Sequence, residues 1–138
     1  MPILNETIIQ DLVSNTGSKQ FFRDTHTVWY NRNRQPHRIG GPAIEYNNGD
    51  RVWYQNGAFH RTDGPAVEHC SGTNAWWVNG NLHREGGPAV EGSKGYKAWY
   101  IDGEQLTEEE FNAKTNPVVE LTVADIEKLL GKKIKIVK

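Results

Sequence analysis

The chain has 138 residues, of which 36% are hydrophobic and 24% are charged, and its net charge is −1. That length fits one domain, and the low apolar fraction argues against a thick globular core. The near-neutral charge excludes a global basic field that would attract nucleic acid or an anionic membrane surface. Cys70 is the only cysteine, so an internal disulfide is excluded, which suits a reducing cytoplasm.

Residues 1–26 are predicted to form an N-terminal cap. Asn5 precedes apolar residues at helical spacing, so we expect a short helix over residues 5–13. Residues 20–23 and 25–28 are predicted strands that lead into the next segment. The sequence contains no recognisable signal peptide or membrane-spanning run, which favours a cytoplasmic protein without membrane contact.

A repeat occupies residues 27–106. The motif Gly-Pro-Ala-x-Glu begins at residues 41, 64 and 87, which gives a period of 23 residues. Each motif is preceded by a His-Arg pair and, further upstream, by an aromatic pair. The His-Arg pairs are His37-Arg38, His60-Arg61 and His83-Arg84. A partial fourth unit begins at Trp99-Tyr100 and breaks where Leu106 stands in place of the next His.

Each unit carries the sequence signature of a β-hairpin. Asn56-Gly57, Asn79-Gly80 and Asp102-Gly103 separate short aromatic-bearing runs, and such dipeptides accept the positive φ angles that a type I′ turn requires. The first unit has a looser loop over residues 32–34. Successive units are therefore predicted to stack into a single-layer antiparallel meander, in a mainly β protein.

This pattern resembles the MORN repeat family in a variant form, in which Arg38, Arg61 and Arg84 replace the glycine that follows His in ordinary units. The variant also resembles repeats of small proteins from bacteriophages and large DNA viruses. The resemblance implies a non-enzymatic accessory protein in the cytoplasm of a bacterial host. Its implied role is counter-defence, by binding a host immune protein or a nucleotide-derived signal molecule.

Residues 107–138 are predicted to form a C-terminal cap. Thr107 and Glu110 make a capping box for a helix that ends at Asn116-Pro117. A strand over residues 118–121, a helix between Thr122 and Gly131, and a strand over residues 132–138 complete a predicted β-α-β unit. The unit protects the edge of the last repeat, and docking of a partner or assembly into a homo-oligomer is the alternative.

Neighbouring residues of a strand face opposite ways, so the aromatic pairs predict two ladders on opposite faces. A single-layer sheet leaves one ladder exposed, where rings and Arg side chains could bind an anionic, ring-containing ligand. The predicted ligand-binding residues are Tyr54, Trp77, Tyr100, Arg38, Arg61, Arg84, His60 and His83. In the structural alternative, each Arg pairs with the Glu of its unit and each His bonds the turn backbone.

Neither a metal site nor a cofactor is predicted. His37, His60 and His83 lie one repeat apart, roughly 9–10 Å, and cannot converge on one ion. His69 and Cys70 lack a further ligand at metal-site spacing. As neighbours on a strand they should also point apart, so they cannot form a nucleophile–base pair, and we predict no enzyme. Residues 29–106 hold 8 basic and 8 acidic residues, which argues against nucleic acid as the partner. Nucleic-acid binding and a structural scaffold remain the alternative functions.

Overall fold

The structure, a computed structural model, describes residues 19–22, 25–135 and 137. The elements in chain order are β1 (Lys19–Phe22), β2 (His26–Tyr30), β3 (Ile44–Tyr46), β4 (Arg51–Val52), β5 (Tyr54–Gln55), β6 (Ala58–Phe59), β7 (Val67–Glu68), β8 (Asn74–Ala75), β9 (Trp77–Val78), β10 (Asn81–Leu82), β11 (Val90–Glu91), β12 (Lys97–Ile101), β13 (Glu104–Leu106), α1 (Glu108–Thr115) and α2 (Val123–Leu130). The predicted N-terminal helix over residues 5–13 lies outside the described residues.

A large antiparallel sheet organises the described part of the chain. Nine strands are bonded in the order β1-β2-β3-β4-β7-β8-β11-β12-β13, and two hairpins, β5–β6 and β9–β10, stand outside this sheet. The connections follow chain order except where a hairpin intervenes. The prediction of a mainly β, antiparallel meander is confirmed.

The hairpins of the second and third units leave the main sheet at the tryptophan of the unit. The N–H of Trp53 donates to the carbonyl of Ala66 at 2.7 Å, while its own carbonyl accepts from the N–H of His60 at 3.1 Å. The N–H of Trp53 therefore bonds to the main sheet, and its carbonyl closes the hairpin. Trp76 bonds Ala89 and His83 in the same way. As a result the meander is a main sheet with a row of hairpins beside it, and not one uninterrupted layer.

Backbone hydrogen bonds join each hairpin to the next. The N–H of Arg38 donates to the carbonyl of Tyr54 at 3.1 Å, and the N–H of Arg61 donates to the carbonyl of Trp77 at 3.0 Å. The N–H of Gly80 donates to the carbonyl of Phe59 at 2.9 Å. The hairpins are therefore held in one row beside the sheet.

The hairpin turns have the predicted geometry. Asn56 and Asn79 both have φ of 49°, and the glycines that follow them, Gly57 and Gly80, have φ of 79° and 80°. Positive φ at both central residues is the type I′ turn, which matches the twist of the flanking strands.

The core of the described residues combines alanine and valine side chains with a few large ones, Trp29, Ile101 and Phe111. Ala43, Ala66 and Ala89, the alanines of Gly-Pro-Ala, are each 0% exposed. Their neighbours across the sheet include Val28 and Val52, which are also buried. Because these positions are fully buried, a larger side chain would have to displace its neighbours in the packed layer.

The C-terminal segment differs from its prediction. Both helices are present, with capping boxes at Thr107 and Thr122, and α2 ends at Gly131 with φ of 63°. The predicted strand over residues 118–121 is wrong, and residues 132–135 and 137 form no strand either, because the described residues after α1 contain only α2. Residues 136 and 138 of the second predicted strand lie outside the described residues. The run over residues 118–121 is apolar, but Val118 is 89% exposed and pairs with no neighbouring strand of the described chain. An apolar run forms a strand only where a partner supplies its backbone hydrogen bonds.

Candidate functional site

Each arginine of the His-Arg pairs lies over the tryptophan ring of its own unit. The guanidinium carbon is 3.7–4.0 Å from the ring centroid, a close cation–π distance. The stacked pairs are Arg38 over Trp29, Arg61 over Trp53 and Arg84 over Trp76. We call these three pairs the Arg–Trp stacks.

Hydrogen bonds occupy the guanidinium groups as well. Nη1 of Arg61 donates to the carbonyl of Pro65 at 3.0 Å and to Oε1 of Glu68 at 2.8 Å, while Nε donates to Oδ1 of Asp63 at 2.8 Å. The bond from Arg61 holds the pKa of Asp63 below its ordinary value. Nη1 of Arg84 repeats the pattern with Glu91, at 2.7 Å. The Arg–Glu pairing predicted as the structural alternative is confirmed in these two units.

The glycine of Gly-Pro-Ala makes room for the Arg–Trp stack. A Cβ atom added to Gly64 would lie 2.8 Å from the guanidinium carbon of Arg61, and one added to Gly41 would lie 2.9 Å from that of Arg38. Real Cβ atoms do not approach heavy atoms so closely. In the first two units a larger residue would therefore displace the guanidinium, whereas a Cβ atom on Gly87 would lie 3.4 Å from the guanidinium carbon of Arg84, an ordinary contact.

The histidines bind the turn of the next hairpin. Nδ1 of His37 accepts from the N–H of Asn56 at 3.0 Å, and Nδ1 of His60 accepts from the N–H of Asn79 at 3.2 Å. His83 receives the corresponding bond from Asp102 at 3.1 Å. The predicted bond between histidine and turn backbone is confirmed, and it crosses from one unit to the next. Each His therefore fixes the spacing between successive hairpins.

The hairpins carry a continuous stack of rings. Tyr54 and Phe59 face each other across β5–β6 with centroids 4.4 Å apart, and Phe59 stacks on Trp77 of the next hairpin at 5.0 Å. All three side chains are partly exposed. We call Tyr54, Phe59 and Trp77 the aromatic row. It brings two predicted binding residues together across a unit boundary.

Phe59 was not predicted as a site residue, although the hairpin signal contained it. In a two-residue hairpin centred on Asn56-Gly57, the residue opposite Tyr54 is Phe59. The third predicted aromatic, Tyr100, lies opposite Gln105 in the fourth unit and not opposite a ring. The row is therefore built by the second and third units.

Trp77 differs from its counterparts in two respects. The equivalent residues of the other units are Tyr30, Tyr54 and Tyr100, so the fold accepts tyrosine at this position. The indole N–H of Trp77 is buried, and no acceptor lies within reach among the described residues. Burial also raises the pKa of the Tyr54 hydroxyl at the other end of the row. The rings thus form a compact, mainly apolar surface.

A second cluster lies at the turns that flank β4 and β7. One donor atom each from Asp50, His69 and Cys70 falls within 4.8 Å of the other two. The prediction that His69 and Cys70 lack a third ligand is therefore wrong. Cys70 opens a turn, where neighbouring side chains do not alternate as they do in a strand. A hydrogen bond to Asp50 raises the pKa of the Cys70 thiol, which opposes the thiolate that nucleophilic catalysis requires.

Within the described residues, neither helix combines the length and apolar character that a membrane crossing requires. Comparison with protein family models, with curated proteins and with solved structures finds no match to this chain.

Proposed function

We propose that this chain is a non-enzymatic binding protein whose MORN-like repeats present the aromatic row to a partner protein. The observation that carries the proposal is the partly exposed stack of Tyr54, Phe59 and Trp77. Tryptophan and tyrosine are enriched among the residues that dominate binding energy at protein interfaces, because they bury large areas at low entropic cost.

The other predicted site residues already make contacts within the protein, which favours a structural role for them. Arg61 is stacked, paired with two carboxylates and only 19% exposed, so an anionic ligand would have to displace Asp63 and Glu68. His60 is bound to the next turn. We therefore assign arginine and histidine to the scaffold and the rings to binding. This favours a host protein over a nucleotide-derived molecule as the partner, since the latter would need free cationic groups.

The resemblance of the repeat to those of small viral proteins suggests where this binding protein acts. We propose that it acts in the cytoplasm of an infected bacterium, where it blocks a host immune protein by occupying a surface. The neutral repeat array is compatible with such a partner and offers no excess of positive charge for nucleic acid.

Site-specific photo-crosslinking in bacterial cells tests the proposal. Tyr54 is replaced by the photoreactive residue benzoylphenylalanine, and Tyr96, which is 61% exposed in the turn before β12, is replaced in a matched control. We expect a discrete crosslinked partner from position 54 and none from position 96. Equal crosslinking at both positions would contradict the proposal. A crosslink between two copies of this chain would favour the self-association alternative.

A further inference from the structure

The cluster of Asp50, His69 and Cys70, named here the Asp50 corner, is assembled by strand register. β4 and β7 are antiparallel, with Arg51 opposite Glu68. One residue further along, Asp50 therefore stands opposite His69, and Nε2 of His69 lies 3.6 Å from Oδ2 of Asp50. Cys70 follows at the start of the next turn, so Asp50 shares one corner of the sheet with the adjacent residues His69 and Cys70.

The donors suit a transition-metal ion. A thiolate, an imidazole and a carboxylate are the three ligand types that zinc uses in proteins. The Cys70 thiol is hydrogen-bonded to Asp50, and a zinc ion that coordinates it would release its proton to solvent. Zinc–ligand bonds of about 2.0–2.3 Å place tetrahedral ligand atoms roughly 3.3–3.8 Å apart. The present separations, all within 4.8 Å, need only small side-chain movements to reach that geometry. The His69 side chain is 50% exposed and Cys70 is exposed, so an ion has access from solvent.

Further hydrogen bonds hold the three candidate ligand side chains in place. Oδ1 of Asp50 accepts from the N–H of Cys70 at 2.7 Å, and Oδ2 accepts from the side-chain amide of Asn48 at 3.0 Å. Nδ1 of His69 lies 2.7 Å from Oγ of Ser71. The N–H of Ser71 also donates to Nδ1, at 3.1 Å, so in this geometry the ring proton is on Nε2. Coordination through Nε2 would move the proton to Nδ1, where Oγ of Ser71 accepts it as the partners of ligating histidines commonly do, and would give up the bond from the Ser71 N–H.

The fold itself does not require these residues. At the next junction the corresponding positions are Thr73, Gly92 and Ser93. The turns are nevertheless the same: the N–H of Gly72 bonds the carbonyl of His69 at 2.8 Å, and that of Gly95 bonds Gly92 at 3.1 Å. The ligand set is therefore a departure from the repeat, whereas the Arg–Trp stacks are part of it.

We propose that the Asp50 corner binds one zinc ion through Asp50, His69 and Cys70, with water at the fourth position. The ion joins the turn after β3 to the turn after β7 and so staples two successive repeat units. The site is separate from the aromatic row, and zinc binding does not depend on the proposed partner protein.

Metal titration of the untagged full-length chain tests the site. Protein freed of metal with a chelator is titrated with zinc chloride, and bound metal is measured after gel filtration. We expect one zinc per chain, a higher melting temperature with zinc, and, with cobalt(II) as the probe, the near-ultraviolet charge-transfer band of a thiolate ligand.

Two variants make the test specific. Cys70→Ser introduces the residue that the next unit carries at the equivalent position, so the turn should fold, and circular dichroism checks this. We expect Cys70→Ser to abolish the cobalt charge-transfer band and to weaken zinc binding at least about tenfold, and Asp50→Asn to weaken zinc binding similarly. Ser93→Cys in the metal-poor corner is the matched control and should not create a second site. The absence of saturable zinc binding by the parent chain, or equal binding by Cys70→Ser, would overturn the proposal.

Discussion

At the scale of single residues, the repeat motif is a set of interlocking spatial requirements. Arg61 covers Trp53, Gly64 yields the space that Arg61 occupies, and Glu68 neutralises its charge. Each of these residue types is needed at its position because of a contact with another residue of the motif. This accounts for their appearance as a group in the sequence.

The glycine requirement predicts a large effect from one methyl group. Gly64→Ala should push Arg61 from Trp53 and Glu68, because the new Cβ would lie 2.8 Å from the guanidinium carbon. We expect a loss of about 1–3 kcal/mol in the free energy of unfolding, measured by urea denaturation. Gly86→Ala is the control, since its Cβ would meet nothing within 4 Å. Equal effects of the two substitutions would show that the close approach is not important.

Only some of these side-chain contacts could be predicted from the sequence. The Arg–Glu pairs and the histidine–turn bonds were predicted, because each repeats in every unit and has local chemistry. Asp50 was missed as a partner of Cys70, since their proximity depends on the register of β4 with β7. Sequence spacing alone does not fix such a register.

At the scale of elements, local signals succeeded and non-local ones failed. The type I′ turns, the capping box at Thr107 and the helix cap at Thr122 depend on residues within a few positions of one another, and they were predicted correctly. The strand expected over residues 118–121 required a partner strand that the described chain does not supply. The interruption of strands at Trp53 was also unforeseen, because it depends on hydrogen bonds to two different neighbours.

Helix α2 should respond to acid through its capping box. Hydrogen bonds from Thr122 lower the pKa of Asp125 below 3.8, so the carboxylate stabilises the helix above that pH. This contribution should be lost as the pH falls through the lowered value. We expect the Cα chemical shift of Ala124, followed by nuclear magnetic resonance, to move toward its coil value below pH 3.8. In Asp125→Asn the shift should lie nearer the coil value at neutral pH and lose this transition; an unchanged titration would contradict the role of Asp125.

At the scale of the whole molecule, the chain behaves as stacked units with interchangeable interfaces. Removal of residues 54–76 deletes one period and joins Trp53 to Trp77, so that Arg38 meets the carbonyl of Trp77 in place of that of Tyr54. We expect a folded protein of lower stability, because each unit contacts mainly its neighbours. Circular dichroism and urea denaturation measure both properties. Complete unfolding would indicate that the second unit is indispensable and not equivalent to the others.

We expect the repeated residues to act as a scaffold and the aromatic row to act as the binding surface. Trp77→Tyr is the sharpest probe, since the fold accepts tyrosine at the equivalent positions 30, 54 and 100. Its effect on stability should be within about 0.5 kcal/mol. Arg61→Ala is the matched scaffold variant and should lower stability by about 1–3 kcal/mol.

The decisive measurement is the affinity of both variants for the partner captured from position 54, with melting temperature recorded on the same samples. We predict that Trp77→Tyr keeps the melting temperature and weakens binding about tenfold, or ~1.4 kcal/mol, because the smaller ring fills the contact less well. Arg61→Ala should melt earlier, and its folded fraction should bind normally. Unchanged affinity in Trp77→Tyr together with a salt-dependent loss in Arg61→Ala would contradict the account and place binding on the arginines.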